Sequence, residues 1–342
     1  MNIDIKLLSK ILALCLNMFF PGLINLDQTG FILNRQTTDN IRTLQLIHYL
    51  QTTKQQGILL SIDIHKAFDS ISWDYLYFIL NKWGIGPYFT TILKSLYCFP
   101  KTIPKWGPYR GNLIITERGT RKGCPLCPIL FIFAIEPLAE LIRQDKNISG
   151  PQIGQLMHKQ CLYADDILMT ITTPLTSLPN LIHLLDAFGN ISGLTINHNK
   201  SEALNITLPQ HTVKLLKLNF NFKWQNSAIH YLGVNIPNQI TTLYQNNYTQ
   251  LWKMARENLQ SWSKMDLSWF GIIHAFKMNL LPKILYLFRT LPIPITDQDL
   301  KPCREKYLNL FGRINIPELP DKPCIQLNIK EDWVSRNYKT TI

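Results

Sequence analysis

Apolar and polar positions divide the chain into three stretches of different period. Over residues 1–57 the spacing is mostly helical, interrupted by Pro21, Gly22 and Gly30, with a second helix predicted over 37–49. The apolar stretch 7–20 is broken by Lys10 and Asn17. It falls short of the roughly 20 residues that a bilayer span needs, so it reads as a buried helix. From 58 to about 237 the period alternates between strand and helix. Residues 58–64 form a short apolar run suited to a buried strand, while Leu76, Ile79, Leu80 and Trp83 mark a helix that Gly84 ends.

Phe220, Phe222 and Trp224 alternate with Asn221 and Lys223, and Asn226-Ser227 offers a turn before Ile229 and Tyr231. That pattern predicts a hairpin turning at 226–227. Beyond residue 240 no strand is expected. Leu251, Met254, Ala255, Leu259 and Trp262 predict an amphipathic helix, followed by a helical run to Leu287. Pro292, Pro294 and Pro302 punctuate its end, and the last forty residues, with Pro317, Pro320 and Pro323, read as irregular. The pattern therefore divides the chain into a helical segment 1–57, a mixed segment 58–237 and a helical region 238–342.

Composition adds that 46% of the 342 residues are hydrophobic and 17% charged, enough apolar material for more than one core. Lys and Arg outnumber Asp and Glu by 35 to 23, a formal charge of +12. Such a balance suits a polyanionic partner whose binding weakens with salt. The seven cysteines are odd in number and scattered, and no secretory signal precedes them. A reducing, intracellular compartment without a disulfide framework is expected, and no membrane association.

Two adjacent carboxylates, Asp165 and Asp166, interrupt the apolar run Leu162-Tyr163-Ala164 and Ile167-Leu168. At the tip of a strand-turn-strand unit they would aim at one point, and a divalent cation there would relieve their repulsion. Asp-Asp is also ordinary turn chemistry. A third acid changes the balance, because Asp63 ends the apolar strand Leu59-Leu60-Ser61-Ile62. Three carboxylates suffice for two magnesium ions about 3.5–4 Å apart, which keep their other positions for water and phosphate oxygens. Asp69 and Asp74 instead suit a turn and the first turn of the next helix, with Ser72 as its cap.

Between the acids, residues 119–128 form a glycine-rich, basic turn that opens a helix through 133–141. Gly123 permits close approach of a base or sugar to the backbone, and Arg121 and Lys122 with the helix N-terminus suit phosphate. Cys124-x-x-Cys127 has the spacing of a zinc or redox pair, but no second ligand pair accompanies it, which disfavours zinc.

At these residues the sequence resembles the reverse transcriptases of non-LTR retrotransposons, the long interspersed element class. Gln28-Thr29-Gly30-Phe31-Ile32 through Arg35, Asp39, Asn40, Ile41 and Arg42 resembles that family's fingers segment. Residues 63–68 resemble motif A, 119–131 motif B, and Tyr163-Ala164-Asp165-Asp166 motif C. Gly193 to Asn197 with Lys200-Ser201 is similar to motif D, Tyr231-Leu232-Gly233 to the primer-grip motif E, and the region of Trp262, Trp269, Lys277, Leu281-Pro282-Lys283 and Tyr286 to the thumb.

The resemblance implies an α+β right-hand polymerase. Its palm is an antiparallel sheet with packed helices over 58–237, with partial fingers over 1–57 and a helical thumb with an irregular tail over 238–342. It implies RNA-directed DNA polymerisation with an RNA template, a DNA primer, deoxynucleoside triphosphates and two Mg2+ ions, Mn2+ being an alternative. Asp63, Asp165 and Asp166 would be the metal site, and Phe68 would exclude ribonucleotides by standing against the sugar 2′ position. A core aromatic following a strand would look the same. Lys200 would donate a proton near the leaving pyrophosphate, Arg121, Lys122 and Gly123 would meet the nucleotide, and Arg35, Arg42, Tyr231, Leu232 and Gly233 the nucleic acid. Exposed lysines and solvated arginines are the alternatives for Lys200, Arg35 and Arg42.

Departures from the family sharpen the alternatives. Lys122 stands where the family usually has Gln, and Cys127 where it usually has Ser. A lysine meets phosphate but cannot supply an amide's acceptor. The resemblance starts after the family's first fingers motif, so a shortened fingers region is expected, without a flanking endonuclease or Cys/His-rich segment. The rivals are a catalytically inactive nucleic-acid-binding remnant and another two-metal polymerase acting on ribonucleotides. A nuclear or cytoplasmic location follows from the family alone.

Overall fold

The computed structural model describes residues 2–98, 100–121, 123–265, 267–296, 298–301 and 305. Lys122, Pro302 and the irregular tail expected with Pro317, Pro320 and Pro323 lie outside the described residues. One compact unit comprises the chain up to Leu251 together with Ile284–Ile293, and Trp252–Lys283 belongs to a second.

In the first unit, helix α1 (Ile3–Asn17) and helix α2 (Thr43–Thr53) precede strand β1 (Ile58–Ile62), and helices α3 (Trp73–Lys82) and α4 (Pro87–Leu96) follow it. Helix α5 (Cys127–Gln144) leads to the hairpin of β2 (Gln160–Tyr163) and β3 (Asp166–Ile171), and then to helix α6 (Pro174–Ser192). Strand β4 (Glu202–Asn205), helix α7 (Gln210–Asn219) and strand β5 (Lys223–Gln225) come next. The strands form one sheet in the order β5-β4-β1-β3-β2. Strand β1 is antiparallel to both neighbours, and only the β4–β5 pairing is parallel.

Strand β1 lies centrally because its residues are apolar on both faces. Leu60 and Ile62 join the main core with Ile167 and Met169. Leu59, Leu168 and Leu204, on the other face, are buried as well. A sheet covered on both sides loses the simple apolar-polar alternation, which is why 58–62 reads as a continuous run. Helix α5 explains its own composition in the same way. Ile129 to Ile135 are buried all round it, packed with α3 and α6, so it is apolar on every side. Its C-terminus is capped by buried Lys159, whose Nζ donates to the carbonyls of Ile142, Arg143 and Asp145 at 3.0, 2.9 and 2.6 Å. A cation at that end also suits the helix dipole.

Three expectations change in the fold. Helix α1 is not buried throughout: Leu12, Ala13 and Leu16 face the core, but Ile3, Leu7, Ile11 and Leu14 are exposed. Apolar content alone had not fixed which face was covered. The helix predicted over 37–49 is broken, with Thr37–Asn40 separate from α2. The hairpin predicted at 226–227 turns instead at Leu232-Gly233, between β6 (Ala228–Tyr231) and β7 (Val234–Pro237). Both turn residues have positive φ, 47° and 77°, the left-handed geometry that tight hairpins need. Residues 223–225 pair away with β4.

Helices α8 (Gln250–Trp262), α9 (Trp269–Asn279) and α10 (Leu281–Thr290) occupy the region where amphipathic spacing predicts them. In the second unit Trp252, Ala255, Leu259 and Ile272 are buried. Tyr286, in the first unit, donates its hydroxyl to the Leu232 carbonyl at the hairpin turn. Among the described residues no helix is long and apolar enough to cross a membrane.

An ionic cluster ties α5 to Asp27. Arg143 reaches Asp27 at 3.3 Å, Glu140 at 2.9 Å and Glu136, while Gln160 donates to Asp27 at 2.9 Å. Burial pushes the Glu136 carboxyl up to about 7, against the pull of Arg143. Replacing Arg143 with Met should lower stability by about 2 kcal/mol, the low side for a broken buried pair because Glu136 can neutralise itself by taking a proton. Thermal unfolding at pH 7 measures the loss, and an unchanged transition would show that the cluster contributes nothing.

Candidate active site

The register of β1 on β3 sets the site. Ile62 pairs with Ile167, so one step further along both strands sets Asp63 across from Asp166. Asp165 occupies the two-residue loop between the paired residues Tyr163 and Asp166. Ala164, the first residue of that loop, has φ 55°, a position where hairpins usually carry glycine. Burial, then the charges of Asp165 and Asp63, push the Asp166 carboxyl up to about 6, although part of its side chain reaches water. Burial is also the main cause raising Asp165, with the Asp63 charge acting in the same direction.

Among the described residues no three His, Cys, Asp or Glu side chains are gathered closely enough to count as a metal-holding group. The chemistry of the donor set nevertheless fits a divalent cation. Hard carboxylate oxygens, crowded and partly desolvated, are the ligands that magnesium takes, and a cation there would reverse the upward shifts. A cavity of about 450 Å³ lined by Ile24, Trp83, Glu136 and Arg143 is not lined by any of these three acids.

A strap of residues 27–30 holds the acidic turn from outside. Strand β2 is the edge of the sheet, and the strap takes its free side at Leu162, which donates to the Asp27 carbonyl at 2.8 Å and accepts from Thr29 N at 2.9 Å. Gln28 is fully buried, and its Oε1 accepts from both Gly30 N and Ala164 N at 2.9 Å. Buried Asn40 donates to the Leu162 carbonyl at 2.9 Å and to the Tyr231 hydroxyl at 3.1 Å. On the other side Ser201 Oγ accepts from Asp63 N at 3.1 Å, and the Asp63 carbonyl accepts from Asn197 N at 2.8 Å. Gln28, Asn40 and Ser201 were legible only as members of motifs. Nothing in the sequence marks which backbone groups they satisfy.

The remaining site residues divide. Phe68 stacks on Phe131 with centroids 4.4 Å apart, and its carbonyl accepts from Thr120 N and Oγ1, so it joins Thr120 to α5. Arg121 lies over the Tyr97 ring, and Gly123 is exposed with φ 80° and open space around it. Lys200 is exposed on the turn that Asn197 ties to Asp63. Arg35 is differently placed from a free template contact. Its guanidinium donates to the carbonyls of Gln28, Pro21 and Ile24 at 2.6, 3.0 and 2.8 Å and also to Asn25. Arg42 is exposed and reaches the Leu26 carbonyl at 3.3 Å. Tyr231 is buried beneath the turn, leaving Gly233 exposed and Leu232 half-buried.

The family described as reverse transcriptase (RNA-dependent DNA polymerase) matches residues 1–236. The chain belongs to the reverse transcriptase family. It is 27% identical over 271 residues to the transposon TX1 uncharacterized 149 kDa protein of Xenopus laevis, a match covering 77% of this chain and 20% of that protein. It is also 27% identical over 208 residues to the Pol polyprotein of the type-2 retrotransposable element R2DM of Drosophila melanogaster, covering 60% of this chain and 19% of that one. These relatives make it a reverse transcriptase domain of the non-LTR retrotransposon kind. It spans about a fifth of their length. In fold it is similar to Candida tropicalis telomerase in complex with a fragment of telomeric RNA, with a TM-score of 0.51 and 9% identity, covering 91% of this chain and 48% of that one. The right-hand polymerase architecture is thereby shown.

Two predictions follow from the reverse transcriptase geometry. A Cβ on Gly30 would lie 2.3 Å from Ala164 N and 2.9 Å from the Tyr163 carbonyl carbon. Gly30→Ala should therefore displace strap from turn and destabilise the fold by roughly 2 kcal/mol or more, read from denaturant unfolding. The second concerns pH. An acid whose pKa rises from 3.8 to about 6 on folding favours the folded state when protonated, and that contribution is lost as pH climbs through this window. In metal-free protein Asp166→Asn should raise stability at pH 7 by up to about 1 kcal/mol, discounted for its contact with water. The gain should vanish near pH 4, and an equal gain at both values would refute the assignment.

Proposed function

We propose that this chain carries out RNA-directed DNA synthesis, transferring a deoxynucleotide to the 3′-hydroxyl of a DNA primer on an RNA template. The observation that carries the reading is the register that brings Asp63 opposite Asp166 with Asp165 in the adjoining turn. These three residues would hold Mg2+, or Mn2+ in its place, and the bound ions supply activation of the hydroxyl and charge stabilisation at the phosphates. Around them the chain's own residues position the substrates. Phe68, fixed by its stack on Phe131, crowds the sugar 2′ position and favours deoxynucleotides. Arg121 and exposed Gly123 meet the triphosphate, and Lys200 donates a proton to the leaving pyrophosphate.

The Leu232-Gly233 turn, supported by Tyr286, contacts the primer, and the helices over 250–290 act as a thumb. Arg42 meets the template backbone. A charge of +12 supports this polyanion-tracking role, and such binding should be salt-sensitive. The work is intracellular, in nucleus or cytoplasm. Lys122, standing where the resemblance implies Gln, favours a second reading in which the chain binds RNA without polymerising.

Primer extension with Mg2+ and deoxynucleotides on an RNA template tests both readings. The unmodified chain should extend the primer, and a variant carrying Asp165→Ala and Asp166→Ala should lose extension by about a thousandfold or more, the scale of several kcal/mol at the barrier. Retained RNA binding without any extension by the unmodified chain would instead select the second reading. A preference for ribonucleotides would overturn the role of Phe68.

A further inference from the structure

Cys124 and Cys127 take no part in the reading above, and their geometry points to chemistry of their own. Cys127 is the first residue of α5, an 18-residue helix, and Cys124 opens the turn that leads into it, in which Cys127 N donates to the Cys124 carbonyl at 3.2 Å. A turn closed in this way holds its end Cα atoms within about 7 Å, inside the range that a disulfide spans. Cys127 is buried, and its Sγ lies 3.1 Å from the Arg121 carbonyl and 3.5 Å from the Tyr97 hydroxyl. Cys124 is partly accessible. Interaction with Cys127 is the leading cause holding the Cys124 thiol down to about 5, while interaction with Cys124 and burial raise Cys127. An accessible low-pKa thiol ahead of a buried partner at a helix N-terminus is the arrangement of a reactive dithiol.

We propose that Cys124 and Cys127 form a redox-active dithiol that exchanges with low-molecular-weight disulfides, Cys124 attacking and Cys127 resolving. In the first step the Cys124 thiolate attacks one sulfur of the disulfide, the S–S bond breaks, and the released thiolate takes a proton from solvent. A mixed disulfide remains on Cys124. Cys127 then gives its proton to solvent and attacks the Cys124 sulfur, expelling the second small thiolate, which is protonated in turn. The balance is one small disulfide reduced to two thiols and one protein dithiol oxidised to a disulfide. Oxidation also removes the Cys127 thiol proton that faces the Arg121 carbonyl, so it acts on the loop that Thr120 ties to Phe68. The proposal does not depend on whether the chain polymerises.

The test uses the full chain, reduced and then exposed to oxidised glutathione, with peptide mass mapping after alkylation. Exposed Cys98 serves as an internal reference. At pH about 6, Cys124 should alkylate several-fold to about tenfold faster than Cys98, the gain in thiolate fraction being partly offset by weaker nucleophilicity. Oxidised glutathione should yield a peptide with Cys124 linked to Cys127, reversed by a dithiol reductant. Cys127→Ser, checked for folding by circular dichroism, should trap glutathione on Cys124, and Cys124→Ser should leave Cys127 unmodified. Alkylation of Cys124 no faster than Cys98, or absence of the 124–127 disulfide in the oxidised wild-type chain, would overturn the proposal.

Discussion

The position of the acidic pair depends on one buried amide. Strand β2 is the edge of the sheet, and an edge with open backbone groups beside a loop of two carboxylates would be free to twist. Gln28 prevents this, because its Oε1 receives the backbone N–H of Ala164, the left-handed residue that aims Asp165. Left-handed backbone at alanine costs about 1 kcal/mol or more, so it persists where surrounding contacts over-determine it. Here the amide, the Thr29–Leu162 ladder and Asn40 do so together. The strap is itself anchored at two points: Arg35 gathers four carbonyls of residues 21–28, and Arg143 grips Asp27. A mixed network of buried polar groups, each needed to satisfy another, thus transmits the rigidity of α5 to the acidic turn.

This arrangement puts the protein's electrostatic strain where the sheet is best braced. Asp63 ends the central strand, with its backbone tied on both sides to the 197–201 turn. Asp165 and Asp166 are raised by burial, with the Asp63 charge adding to both and the Asp165 charge adding to Asp166, so folding places them against their own preference. Apolar packing of β1, β3 and α5 supplies the compensating stability, since Ile62, Ile167 and Phe131 are essentially inaccessible. Divalent cations binding only to the folded state would then return stability to the chain as well as chemistry.

What the sequence revealed follows from which interactions leave a local trace. The three acids were visible because a carboxylate beside Ile62 or Ile167 breaks an apolar strand, and the strand periods themselves fix which residues share a tip. The hairpin was misplaced because alternation at Phe220, Phe222 and Trp224 does not say which strand they pair with. A left-handed Leu232 is also a turn residue that no propensity favours. Arg35 and Tyr231 were read as nucleic-acid contacts, yet one is engaged by backbone carbonyls and the other lies beneath the hairpin. The partners of Arg35 are carbonyls, which every residue has, so the sequence holds no sign of that pairing. Helix α1 was read as buried for a related reason, because composition gives the apolar content of a helix but not how much of it a neighbour covers.

Phe68 shows why structural and functional readings of one residue need not compete. Its ring is fixed on Phe131 and meets Phe31 edge-on, while its carbonyl takes both the amide and the hydroxyl of Thr120. A discriminating side chain that had to exclude one hydroxyl group would be ineffective if it could swing aside, because rejecting a ligand by bulk requires that the bulk not move. Packing on the core supplies that stiffness, and the carbonyl contact makes the 119–123 loop follow the ring. In the proposed reading the core aromatic and the sugar gate would be one side chain, with the buried contact being the condition for the exposed one to select.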